Sequence, residues 1–295
     1  MRIHPAALAL LAAVLANCSP APRAGAVAPT SLPLCNPWCA DTVAAGVVWR
    51  RATLSLPDST PQTVLVNVVE VDLANTAVRV LPVRPDDSTY HTVSDMGANT
   101  PQAVAGVNGG FFLNAGSDDI CGACQSGSCP AYRPSSLLQI PGTWSSTNCR
   151  APRSAFGIDL QGGTHFTVLS PNTPWTGMPY AIGAGPTLVQ GGQPVALTDT
   201  TQAFPWIGSA HPRTAVAVDT AGHLLLVTVD KPGLTLSGFA NFLVTLGAAD
   251  AMNLDGGGST TMWVAGQPNG GVVNCPSATG CAERRVYDGL FVIAN

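Results

Sequence analysis

Charge is what this sequence has least of: Asp, Glu, Lys and Arg make up 10% of 295 residues, against roughly a quarter in an average soluble protein. Lysine occurs once, at Lys231, and the arginines are scattered. With a net charge of −4, the chain lacks the cationic patch that a nucleic-acid partner requires. Glutamate occurs only at Glu70 and Glu283. The apolar stretch at 6–16 falls short of the about 20 residues that a bilayer-spanning helix takes. Gly and Pro, 31 and 25 residues, stay below the fraction of about 25–30% that marks low complexity, so disorder and collagen are excluded. What is abundant is apolar side chain, 46% of the chain, enough for a sizeable core.

The N-terminus has Arg2, then the short apolar stretch, and reads as an export signal at 1–26. LANC at 15–18 resembles a bacterial lipobox, which would make Cys18 a lipid anchor and the only tie to a membrane. The alternative is cleavage after the small residues of AGA at 24–26 and free secretion. Either route leaves eight cysteines: Cys35, Cys39, Cys121, Cys124, Cys129, Cys149, Cys275 and Cys281. In an oxidising compartment they suit four disulfides. Cys121 and Cys124 also have zinc-knuckle spacing, but no histidine lies nearby.

Short β-branched runs recur at 64–71, 78–83, 104–107, 164–169, 214–219, 224–230, 251–254 and 290–294, with turn residues between them. The runs at 214–219 and 224–230 flank a four-residue turn and should pair as an antiparallel hairpin. Leu236, Phe239, Ala240, Leu243 and Val244 fall instead at helical spacing, with Thr235 as N-cap and Gly247 as stop. The segment 121–149, rich in Gly, Ser and Pro, reads as a disulfide-held surface insertion. The expected class is α+β: mixed, mostly antiparallel strands, one prominent helix and disulfide-stapled loops.

Three segments carry polar groups suited to chemistry. NLDGGGST at 253–260 sets three glycines directly after Asp255, allowing close backbone approach to a ligand; the plain alternative is a tight turn. GVNGGFF at 106–112 ends a strand on Asn108 and a glycine pair, and HPRT at 211–214 puts Arg213 just before the hairpin. Glu283, Arg284 and Arg285 cluster in a chain otherwise poor in charge. None of these is a phosphate-binding P-loop or a nucleophile elbow.

Together these motifs, with AIGAGPTLV at 181–189, GLTL at 233–236 and Asn274, resemble the phosphodiester glycosidase family over about 64–292. Residues 27–60 would then be a linker and N-terminal extension, and 61–295 the phosphodiester glycosidase domain. The chain departs from the family pattern in DKPG at 230–233 and in the cysteines Cys275 and Cys281. The resemblance implies an exported hydrolase that cleaves the bond between sugar C1 and phosphate, with a glycan or sugar phosphodiester as partner. A non-catalytic exported carbohydrate-binding protein is the runner-up reading, and a cysteine-rich structural lipoprotein the third.

A phosphate monoester leaving group has a second pKa of about 6 and needs little help from an acid. One essential carboxylate plus cations can therefore serve where ordinary glycosidases use two carboxyls. Asp255 is the expected nucleophile or base, and Glu283 the second-carboxylate candidate or else a structural ion pair. The corner Gly256, Gly257 and Ser259, with Arg213 and Arg284, would hold the phosphate, since guanidinium forks match its oxygens. Asn108, Gly109 and Asn274 complete the expected substrate contacts. No metal or other cofactor is expected, although Asp255 and Glu283 are both of a type that takes a divalent cation. Cys275 and Cys281 are expected to pair locally across a turn-rich loop; the rival is pairing with the 121–149 insertion.

Overall fold

A computed structural model describes residues 37–87, 89–113, 133–146, 151–197, 207–275 and 280–295. The export signal, Cys18, Cys35, Cys121, Cys124, Cys129 and Cys149 lie outside these residues.

The run LLLVTV at 224–229 has no polar face, and the fold shows why: it lies in the middle of a sheet covered on both sides. That eight-stranded sheet has the order Cys39–Ala44, Val47–Leu56, Gln62–Asp72, His223–Leu234, His211–Asp219, Ala248–Asn253, Thr187–Gln190, Gln193–Pro194. Leu224 and Leu226 point to one core, Leu225, Val227 and Val229 to the other. The second core is closed by helix α2, Leu236–Thr245, which buries Leu236, Phe239, Ala240 and Leu243. Thr235 caps it, accepting the Gly238 N–H at 3.0 Å, and Gly247 follows its end at φ +89°. The expected hairpin and helix are both present, and Asp219 forms the hairpin turn by accepting from the Ala221 and His223 amides.

A four-stranded sheet, ordered Met262–Val264, Ala103–Asn108, Gly289–Ala294, Val78–Val83, packs against the first core through Val80, Val107, Leu290 and Val292. Its other face meets helix α1, Val93–Asn99, where Val93 and Met96 pack with Trp263 and Phe291. A five-stranded sheet, ordered Thr164–Leu169, Arg153–Ile158, Tyr180–Ala184, Leu138–Ile140, Thr143–Ser145, supplies Phe156, Ile158 and Ile182 to the same core. Phe112–Leu113 and Arg133–Pro134 make a small ribbon.

Each strand pair among the described residues is antiparallel, for example Gly289–Ala294 against Ala103–Asn108. The described residues are thus more β-rich than the expected α+β class: among them are two α-helices, one of them unexpected because α1 has only seven residues and a glycine inside it. Within 27–60, Val47–Leu56 turns Val47 and Trp49 to the first core and Leu54 and Leu56 to the second, pairs along its whole length with Gln62–Asp72, and adds an Arg50–Glu70 ion pair at 2.7 Å. Residues 39–44 and 47–56 of that extension are therefore strands of the main sheet. Within the expected 121–149 insertion, Leu138–Ile140 pairs with Tyr180–Ala184 and buries Leu138.

Candidate active site

The strands Ala103–Asn108 and Ala248–Asn253 belong to different sheets, and their ends are tied together by one amide. Asn108, fully buried, donates through Nδ2 to the Asp255 carbonyl at 2.7 Å. Its Oδ1 accepts from the Thr214 hydroxyl at 2.8 Å and the Thr261 N–H at 3.0 Å. The Asp255 N–H returns a bond to the Gly109 carbonyl at 3.0 Å. Asn108 is thus the pin between the two sheets. Its expected role on a sugar hydroxyl competes with three internal bonds in a site closed to water.

Asp255 opens a corner built on three glycines. Gly257 has φ +60°, a Cβ on Gly256 would press on the Pro212 carbonyl at 2.8 Å, and one on Gly258 would collide with Arg284 Nη2. The corner closes in a 3₁₀ turn, Gly257–Ser259, and this brings Ser259 back to Asp255. Ser259 Oγ accepts from Arg284 Nη1 at 3.3 Å and is hydrogen-bonded to the Asp255 carboxylate, so Arg284, Ser259 and Asp255 form a chain. Burial pushes the Asp255 carboxyl up to about 6. The Ser259 hydroxyl, the Gly256 N–H at 2.9 Å and the Arg284 charge pull the other way. A carboxylate with a neutral-range pKa beside an exposed guanidinium suits attack on, or activation of water toward, a carbon whose leaving group is an anion.

The other expected residues divide differently. Glu283 is bonded to α1, accepting from the Ser94 N–H at 3.1 Å and from the Ser94 hydroxyl. Arg213, only 5% exposed, sends Nε to the Leu234 carbonyl at 2.8 Å and Nη2 to the Ser209 carbonyl at 2.6 Å. Burial lowers its pKa to about 10, with Asp58 opposing. Asn274 bridges Asp230 Oδ1 at 2.9 Å and the Thr260 carbonyl at 3.0 Å, while its Oδ1 receives the Met262 N–H at 2.8 Å.

Asp230 also latches the loop that follows Asn274 by accepting the Cys275 N–H at 2.6 Å. Desolvation raises its pKa. Cys275 and Cys281 are joined, their Cα atoms 4.4 Å apart, which is the local pairing expected. Cys39 is also disulfide-bonded. Among the described residues no group of three or more His, Cys, Asp or Glu side chains is placed to hold a metal ion.

One acidic residue escaped the sequence reading. Asp288, 1% exposed, lies under the Gly109–Gly110 corner: it accepts the Gly110 N–H on Oδ1 at 2.8 Å, and its carbonyl accepts the Gly109 N–H at 3.0 Å. A Cβ on Gly109 would collide with that Oδ1. The YDG stretch at 287–289 looks like a turn; the one signal was a charge set directly before an apolar strand.

The fold is thus an antiparallel assembly with a glycine-built carboxylate corner at the junction of two of its sheets. The chain belongs to the phosphodiester glycosidase family, whose model matches residues 101–293. No curated protein matches the chain. Among solved structures it is similar to a protein from Synechocystis described as hypothetical, with TM-score 0.64, 17% identity and 88% of this chain covered; the chain spans 64% of that protein's length. It is also similar to the catalytic domain of zebrafish N-acetylglucosamine-1-phosphodiester alpha-N-acetylglucosaminidase, auto-inhibited by its pro-peptide, with TM-score 0.62, 20% identity and 88% of each chain covered. A third is a protein from Burkholderia pseudomallei K96243 described as exported, with TM-score 0.57, 18% identity, and 81% of this chain and 76% of that one covered. These likenesses establish a shared fold; membership of the family rests on the sequence match.

Proposed function

We propose that the chain is an exported hydrolase that cleaves the bond between sugar C1 and phosphate in glycosyl phosphodiesters, such as N-acetylglucosamine-1-phosphodiester units of glycopolymers. The observation that carries this reading is the Asp255 corner: one carboxylate, raised to about 6, chained through Ser259 to the exposed Arg284. Ionised Asp255 attacks C1 or takes a proton from the attacking water. The C1–O bond breaks and its electron pair leaves with the phosphate, which becomes a monoester dianion or monoanion and needs no acid near neutral pH. Arg284 and the Gly256, Gly257 and Ser259 segment face that developing charge, where a guanidinium fork is worth most. Asp255 cannot be replaced by Glu283, which is held on α1. Export is supported by the Cys275–Cys281 bond and by the N-terminal apolar stretch, with Cys18 as the proposed lipid attachment point.

The test is a panel of sugar-1-phosphodiesters differing in sugar and in the group beyond phosphate, read by release of free sugar and phosphomonoester. Turnover of at least one member that is lost in Asp255→Asn supports the reading. Binding of the panel without turnover by wild-type protein would make the chain a carbohydrate-binding protein instead.

A further inference from the structure

The buried Asp288 has no place in the mechanism above, yet it sits one main-chain link from the working carboxylate. Its carbonyl holds Gly109 N–H, Gly109 carbonyl holds Asp255 N–H, and its Oδ1 holds Gly110 N–H. Its other oxygen, Oδ2, is closed to water and has no hydrogen-bond partner. A buried carboxylate with a bare oxygen and no cation costs far more than the neutral carboxyl, which leaves only one O–H donor unpaired.

Among the described residues no cation acts on Asp288 to change this. The strand Tyr180–Ala184 brings Ile182 against the same Gly109 corner, the segment after Ala103–Asn108 brings Gly110 N–H, and the neighbouring Tyr287 hydroxyl is turned to Arg84. Among the described residues, the charge that acts on Asp288 is that of Asp255, a like charge; Arg284 acts on Asp255.

We infer that Asp288 is a positioning residue that works as the protonated member of a carboxyl pair with Asp255, holding the Gly109–Gly110 corner while neutral and disabling the site when it ionises. Burial first, then the Asp255 charge, push its pKa up to about 7, against the Gly110 N–H. Asp255 ionises at about 6, so the pair passes through a state with one proton, in which Asp255 is charged and Asp288 is not. Above that range a second negative charge enters a site with no partner for it. The corner that carries Asp255 then loses its geometry, and the active window closes on the alkaline side.

This inference rests on the proposed hydrolase reading for its activity readout, and a second readout does not depend on it. With a glycosyl phosphodiester, wild-type kcat/KM should rise through about pH 6 and fall through about pH 7. Asp288→Asn, a neutral isostere, should abolish the alkaline fall and leave the acid limb in place. An alkaline limb unchanged in folded Asp288→Asn overturns the inference.

The second readout is equilibrium unfolding by urea across the same pH range. The native state keeps a proton that the unfolded chain has released, so the Asp288 contribution to stability is lost as pH rises from about 4 to about 7. Asp288→Asn should flatten that decline, and an undiminished slope counts against the inference even if no substrate is ever turned over. If Asp288→Asn does not fold, the carbon-13 carboxyl titration of Asp288 in wild-type protein decides: a midpoint near 7 supports it, and one below 5 overturns it.

Discussion

Two arginine-bearing segments look alike in the sequence and behave as opposites in the fold. Arg213 lies where His211–Asp219 enters the main sheet, buried under α2 with its guanidinium on the Leu234 and Ser209 carbonyls. The neighbouring Gly233 lies so close to the His211 main chain that a Cβ there would overlap it. Arg284 lies in the loop after the Cys275–Cys281 bond, exposed, stacked over the Gly258 corner and reaching Ser259 at 3.3 Å. The first arginine is held by neutral carbonyls and gives up part of its proton affinity to burial; the second keeps water and a free face. Residue type marks a candidate for phosphate, but access assigns the role.

The comparison breaks most sharply at Asp255, which Arg284 serves and Arg213 does not. Asp255→Asn should lower kcat by about 10² or more with the fold kept, because it removes charge without volume. In wild-type protein the same group sets an acid limb: the rate should fall as pH drops through about 6, since the protonated carboxyl neither attacks nor accepts. Arg284→Lys should cost about tenfold in kcat/KM with no change in thermal midpoint, since an exposed point ammonium replaces a two-pronged contact.

Arg213→Lys should show the reverse pattern. Losing a buried charge-assisted bond should cost about 2 kcal/mol of stability, read as a lower urea midpoint, with kcat/KM of the folded fraction changed less than in Arg284→Lys. The smallest effect belongs to the pair Cys275→Ser with Cys281→Ser. A loop closed over six residues restricts little unfolded chain, so the melting temperature should fall slightly while kcat/KM falls a few-fold as Arg284 loses its anchor. A large fall in melting temperature with full activity would reverse that assignment.

Legibility in the sequence tracks locality. The His211–Asp219 and His223–Leu234 hairpin and α2 are written in periodicity and capping residues, all within about 35 positions of one another. Arg153–Ile158 and Tyr180–Ala184 were invisible because small residues dominate them: Gly157 makes room for Trp175, and Gly183 lies against Leu137. Their reason is a neighbour, not a pattern. At the site, Asp255 and its glycines were readable because a carboxylate before three glycines is unusual in any context. Glu283 drew attention for its rarity, but Ser94, 189 residues away, claims it. Asp288 became visible only when the fold buried it beneath Gly109.

The most direct test is sugar release from one glycosyl phosphodiester by Asp255→Asn and Glu283→Gln side by side, each over a range of pH. Asp255→Asn is expected to lose turnover at every pH. Glu283→Gln is expected to keep the wild-type rate within about threefold, with its acid limb still near 6, because its carboxylate serves α1 and not the reaction. Loss of turnover in folded Glu283→Gln to the level of Asp255→Asn would contradict a single working carboxylate and restore Glu283 to the site.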